Sequence, residues 1–257
     1  MRAGWRPERR NRRIGTINSG RRKQTRMVVP DSRHDEFHFY ERLGRHTATE
    51  MDVHGQPMTF LGEPVRPGST YGCSARDVAH VLSHLPADDV AGLKMLVMRQ
   101  PTRKQEILSA VWGRCVFDAQ FGVRRGPAIM LEAVDLSHPI RWDGRLSIED
   151  RNELERLAKD GHQIIRDRRG TTIRVDPVSV RNGVLYRTLL HEVGHWVDWK
   201  DRVLRILAAS NDPERKQLKS AYFVRPHRER EQFANRYADQ QAARLRNAGI
   251  FPFESLA

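Results

Sequence analysis

Cysteine is nearly missing from this sequence: there are two, Cys73 and Cys115, far apart and in no CxxC pairing. Two such residues cannot form a disulfide framework and offer no thiolate zinc site. Their scarcity suits a reducing cytoplasm. Long apolar runs are missing as well. No stretch reaches the roughly 18 consecutive apolar residues that a transmembrane helix needs, so no membrane partner is expected. The basic N-terminus also lacks the apolar segment of a secretory signal. No internal repeat is visible, which argues against a solenoid or propeller. What remains is the composition of a globular chain, with 39% hydrophobic and 30% charged residues among 257. That length accommodates one catalytic domain and an accessory segment.

Positive charge is abundant but unevenly spread. The formal net charge is +13. Residues 1–26 hold ten Lys/Arg against one acid, a net of +9, which leaves +4 for the other 231 residues. The basic character therefore belongs mainly to a tail. Such a tail could touch nucleic acid or an acidic partner, or be a solvated extension. Met27 could also be the true first residue.

Residues 1–70 read as a basic, largely disordered extension, with Phe37–Tyr40 able to dock on the body and Gly62–Gly68 resembling a linker. The folded domain is expected over residues 71–257. Ser74 and Asp77 fit a capping box ahead of Val78, Val81, Leu82 and Leu85 on one helical face. The apolar runs 90–98, 107–117 and 128–134 read as strands of one sheet, the middle one with a helical start. Ser147 and Asp150 open a helix reaching about Lys159. Segments 163–166 and 171–175 flank Arg168-Arg169-Gly170 as a hairpin. A buried helix follows from about Val184 to Trp199, and a last long helix from about Arg228 to Asn247, closed by Gly249. The class is α+β.

The chemistry concentrates in His191-Glu192-Val193-Gly194-His195. On a helix, positions i and i+4 share one face, so His191 and His195 project two imidazoles toward one point, and neutral imidazole is a good zinc ligand. Glu192 points to a neighbouring angle. From there it can reach a zinc-bound water without entering the inner coordination sphere, and serve as general base. Gly194 permits close packing beside the metal.

A third protein ligand is needed. Glu231 is the choice: it opens the last helix, whose next turns are apolar and aromatic. Asp201 is a rival, where an extended HExxH pattern with a third ligand six residues on would place it, but Asp198 stands where that pattern requires a chain-turning glycine. Asp198 shares the histidine face and could instead support a ligand imidazole. Tyr222 and His227 are candidates for stabilising an oxyanion, whereas Tyr237 reads as core. His80 and His84 also stand at i, i+4, but enclose no glutamate base.

HEVGH followed by E-x-x-A-N-x-Y-A, from Glu231 to Ala238, resembles the gluzincin metallopeptidases, and most closely the ImmA/IrrE type. Glu231-Gln232-Phe233-Ala234 is also similar to a run in the catalytic domain of anthrax lethal factor. Tyr237 departs from the Phe usual in the first family, and Asp239-Gln240-Gln241 replaces its ordinary continuation. The resemblance implies that His191, His195 and Glu231 bind zinc (Zn2+) and that Glu192 is the base. It implies a zincin-like fold, in which a small twisted mixed sheet lies over an active-site helix with a C-terminal ligand helix beside it. An edge strand would cradle extended peptide, and Thr171–Val175 is the strand expected to do so. The expected function is zinc-dependent hydrolysis of peptide bonds in a protein or peptide substrate. The rival readings are a non-proteolytic zinc-site regulator or sensor, and a nucleic-acid-associated protein acting through its tail.

Overall fold

The computed structural model describes residues 41–108, 111–142, 146–209 and 215–256. The basic tail, Phe37–Tyr40 and Met27 lie outside these residues. None of the described helices is long and apolar enough to cross a membrane.

Order begins well before residue 71. Strands β1 (Thr47–Val53) and β2 (Gln56–Gly62) pair antiparallel in full register. His54 and Gly55 make the two-residue turn, both with positive φ, 56° and 74°. That geometry suits the right-handed twist of the flanking strands. Met58, Phe60 and Leu61 of β2 are buried. The presumed linker is fixed too. Tyr71 Oη donates to the carbonyls of Glu63 and Met98, both at 2.9 Å, and Gln100 N donates to Glu63 Oε2 at 2.8 Å. The expected disordered extension therefore does not include residues 41–70, because a hairpin with a buried face reads as polar loop when its apolar positions are few.

Past a two-residue strand, β3 (Ser69–Thr70), helix α1 (Ala75–Ser83) starts on the Ser74/Asp77 capping box and buries Val78, Val81 and Leu82. A short turn, α2 (Ala87–Val90), leads into β4 (Met95–Arg99), buried along its whole length. Helix α3 (Arg103–Leu108) precedes β5 (Gly113–Phe121) and β6 (Arg124–Glu132). These strands complete a five-stranded mixed sheet of order β1-β2-β4-β6-β5. Its central β2, β4 and β6 run parallel, while β1 and β5 are antiparallel edges. Burial on both faces explains the apolar content of β4 and β6.

Next come β7 (Val134–Asp135), which pairs β3, then β8 (Ile140–Trp142) and helix α4 (Ile148–Lys159), capped by Ser147 and Asp150. Strands β9 (Gln163–Asp167) and β10 (Gly170–Arg174) form the expected hairpin. With β8 they make a separate sheet of order β8-β10-β9. Leu154, Leu157 and Ile173 form its small core.

Asp176, followed by Pro177, caps a long helical run. It comprises α5 (Pro177–Gly183), a π-helical stretch (Val184–Thr188), α6 (Leu189–Trp199), a second π-helical stretch (Lys200–Leu204) and α7 (Arg205–Ala209). Single π-helical turns occur often at functional sites, and here two of them bracket the motif. Helices α8 (Arg215–Val224) and α9 (His227–Asn247) follow. The main core lies between the five-stranded sheet and the α1, α6 and α9 helices.

Candidate metal centre

Helix α6 is held from two sides, and both contacts depend on glycine. A Cβ at Gly194 would lie 2.9 Å from Ala234 Cα and 3.0 Å from Ala234 O, so only glycine lets α9 approach α6 this closely. On the other side a Cβ at Gly113 of β5 would lie 2.6 Å from Thr188 Cγ2 and 2.9 Å from Glu192 Cγ. The helix is thus wedged between the ligand-bearing α9 and the edge strand β5. Trp196, buried, anchors it further by donating from Nε1 to Ala91 O at 3.2 Å.

This packing brings His191, His195 and Glu231 together. One ligand atom from each lies within 4.8 Å of the other two, and among the described residues no other group of three His, Cys, Asp or Glu does so. His191 Nε2 is 3.3 Å from Glu231 Oε2, and His195 Nε2 is 3.4 Å from Glu231 Oε1. The two imidazoles stand at 90° with centroids 4.7 Å apart. Zinc–nitrogen and zinc–oxygen bonds near 2.0–2.1 Å span a tetrahedron with edges of about 3.3 Å. The two measured separations, one to each oxygen of Glu231, are of that length, and with the three ligand atoms within 4.8 Å of one another the donor set fits a zinc ion. All three side chains keep partial exposure, 16–34%.

Asn235 supplies a feature that the sequence reading missed. Its Oδ1 lies 3.1 Å from His191 Nδ1. An amide oxygen only accepts, so Nδ1 carries the proton and the Nε2 lone pair is left for a metal. The signal was available, since Asn235 is one helical turn after Glu231 and shares its face.

Glu192 is buried, 7% exposed, and accepts a hydrogen bond from the Cys115 backbone N–H. Burial pushes its carboxyl pKa up, against the opposing pull of His191 and His195. Glu231 goes the other way: burial alone would raise it, but hydrogen bonds from His191 and His195 hold it well below the carboxylate range. For His191, burial disfavours the cation, yet Glu231, Glu192 and Asn235 raise its pKa.

Other candidates fall elsewhere. Thr171–Val175 is not an edge, because β10 is paired by β8 on one side and β9 on the other. The open edge beside the motif is β5. Glu132 N donates to Trp112 O at 2.9 Å, so antiparallel alternation turns the backbone groups of Gly113 and Cys115 outward, away from β6. Asp198 does not support a ligand imidazole. It is buried and bound to Arg202 Nε at 2.7 Å and Arg225 Nη1 at 2.8 Å. Asp201 is 41% exposed, paired with Arg205 at 3.0 Å, and outside the cluster.

Tyr222 is buried against Trp199 and Phe117, its centroid 4.9 Å and 5.7 Å from theirs, and its phenol pKa is raised by burial and by Asp198. His227, 77% exposed, sits one turn before Glu231 with Nε2 3.3 Å from Glu231 Oε1. Tyr237 is core, its hydroxyl donating to Asp89 Oδ2 at 2.8 Å.

Compared with known proteins, the chain matches no protein-family model, no curated protein and no solved structure.

Proposed function

We propose that this chain is a zinc metalloendopeptidase of gluzincin type, with His191, His195 and Glu231 as ligands and Glu192 as general base. The observation that carries the reading is the convergence of three donors within 4.8 Å of one another beside a buried carboxylate. A zinc ion held there would supply Lewis acidity, lowering the pKa of water toward ~7 and polarising a peptide carbonyl.

The chain's own groups do the rest. Glu192 takes a proton from the attacking water as the water oxygen bonds to the carbonyl carbon. It then passes that proton to the departing nitrogen as the C–N bond breaks. The Cys115 N–H fixes the carboxylate for this task. Because that N–H points out from the sheet, the base stands at the open edge of β5. An extended substrate adds to this edge through the Gly113 backbone and the Cys115 carbonyl. His227, exposed beside Glu231 while Tyr222 is buried, is our choice of donor for the oxygen that gains charge. Both cysteines are free, in keeping with a reducing cytoplasm.

Metal analysis and peptide-library hydrolysis on matched variants test the reading. Wild type should carry near-stoichiometric zinc, and His191→Ala and Glu231→Ala should each lose it. Glu192→Gln should keep zinc and lose roughly 10²–10⁴-fold in turnover. A Glu192→Gln protein that cleaves as wild type does would end the hydrolase assignment. Zinc retained by Glu231→Ala would end the ligand assignment.

A further inference from the structure

The three-stranded sheet β8-β10-β9 has a face that the metal centre does not use. Successive residues of a strand alternate between faces. Ile173, fully buried with Leu154 and Leu157 of α4, marks the covered face. The register aligns Arg141 with Thr172 and Thr172 with Ile165, and pairs Arg174 with Gln163. These residues therefore share the opposite, outer face. Arg168 and Arg169 form the turn at the end of the same hairpin. Arg141, Arg168, Arg169 and Arg174 are all exposed, and so is Arg166.

The concentration of charge is unusual for this protein. Residues 140–142 and 163–174 hold five arginines against Asp167 alone, a net of +4. That equals the whole surplus of residues 27–257. Four buried or half-buried arginines elsewhere are matched to acids: Arg99 to Glu132, Arg181 to Asp77, Arg187 to Asp160, Arg225 to Asp198. On this sheet none of the five has an ion-pair partner among the described residues. Four unmatched cations close together repel one another and lower stability slightly, so the arrangement is favoured when an anion with repeating charges covers it.

We infer that this outer face binds the phosphodiester backbone of a nucleic acid, without regard to sequence. The four cations of this face, Arg141 and Arg174 on the strands and Arg168 and Arg169 at the turn, are arginine, whose planar fork bonds two phosphate oxygens at once, while Arg166, paired with Thr171, stands on the other side of the sheet. Between them lie the neutral side chains of Thr172, Gln163 and Ile165, and Asp167 beside the turn is the one acid on this face. The face has no aromatic residue to stack a base on, since Trp142 packs on the covered side with the α4 core. Bases are therefore not read, and phosphates supply the affinity. The basic tail adds attraction to the same class of partner. This surface is independent of the peptidase reading, and either can fail alone.

The test is fluorescence anisotropy of the full-length protein with a labelled 20-base-pair mixed-sequence duplex, across about 0.05–0.3 M salt. Each phosphate contact contributes about 0.9 to the slope of log affinity against log salt. Replacing Arg141, Arg168, Arg169 and Arg174 with Gln should lower that slope by up to about 3.6, equivalent to between three and four decades of affinity at 0.1 M. The four corresponding Arg→Lys changes should restore most of the slope. Arg168→Glu with Arg169→Glu, confined to the exposed turn, gives a second variant that leaves the strands intact and should cost at least tenfold. An unchanged slope in these variants overturns the inference and assigns all binding to the tail. Competition by polyglutamate as effective, charge for charge, as by the duplex overturns it in favour of an acidic protein partner.

Discussion

Replacing Gly194 with alanine asks whether the spacing between two helices sets the metal centre. The new Cβ would sit 2.9 Å from Ala234 Cα, 3.0 Å from Ala234 O and 3.1 Å from Tyr237 Cβ. Unstrained carbon contacts lie at about 3.5–4.0 Å, so α9 must retreat by roughly half an ångström or more. Overpacking of this kind costs about 1–3 kcal/mol. Against it, exchanging glycine for alanine inside a helix gains up to about 1 kcal/mol. The net loss of stability is therefore small, roughly 0–2 kcal/mol.

Metal affinity is the sharper readout. Glu231 rides on α9 one turn before Ala234, so any retreat carries its carboxylate away from both imidazoles. Metal sites tolerate about 0.2 Å in ligand distance. A displacement two or three times larger should weaken zinc binding at least tenfold. Competition against a chromogenic chelator measures the affinity, and thermal unfolding with chelator present measures the metal-free fold. A Gly194→Ala protein that is more stable by about 1 kcal/mol and binds zinc as wild type does would show that helix propensity alone governs the position.

Three further outcomes follow from the same geometry. Asn235→Ala should lower zinc affinity about 10–100-fold by freeing the His191 ring, with the fold unchanged by circular dichroism; unaltered affinity would remove Asn235 from the site. Asp198→Ala should destabilise by about 3 kcal/mol or more in urea, since it strands the partly buried Arg225, while zinc affinity of the folded protein stays within a few-fold. Parallel losses in both would return Asp198 to the imidazoles. Asp77, fully buried, accepts from Arg181 Nη1 at 2.8 Å, Leu256 N at 2.7 Å and Ser255 Oγ at 3.0 Å. Burial alone would raise its pKa, but these bonds hold it down at about 2, from 3.8. A depressed carboxylate stabilises fully above its unfolded value and loses that contribution as pH falls through the folded one. The gap is worth about 2 kcal/mol. Urea titrations with chelator should therefore show the wild-type advantage over Asp77→Asn shrinking between about pH 4 and pH 2.

Short-range signals in the sequence were legible. The Ser74/Asp77 and Ser147/Asp150 boxes place two helix starts, and Arg168-Arg169-Gly170 marks a real hairpin. Two kinds of information were not. The His54-Gly55 turn went unread because polar, exposed β1 hides the buried face of its partner β2. Whether a strand is an edge depends on neighbours far away in the chain. Thr171–Val175 has the right composition and stands just ahead of the motif helix, yet β8 closes its second side. The real edge, β5, lies in the stretch where a helical start blurred the strand pattern. Asp198 shows the same limit, for Arg225 claims it across 27 residues of chain.

Why the pentapeptide is spaced as it is emerges from the helix itself. At about 100° per residue, His191 and His195 point within about 40° of each other. Glu192 lies about 80° to one side of their bisector and Gly194 about 80° to the other. The structure puts β5 on the Glu192 side, where Gly113 meets its Cγ, and α9 on the Gly194 side, where Ala234 meets its backbone. The imidazoles therefore open into the cleft between the strand and the second helix. Glu231 reaches them from α9, and the buried carboxylate faces the sheet edge. A residue with a side chain at position 194 would push away the helix that brings Glu231. A carboxylate moved from position 192 to 193 would turn about 100° further round, away from β5 and into the core where Val193 is fully buried. The order of side chains in HEVGH thus fixes three directions at once, and the two glycines, Gly113 and Gly194, set how closely the strand and the second helix come to meet them.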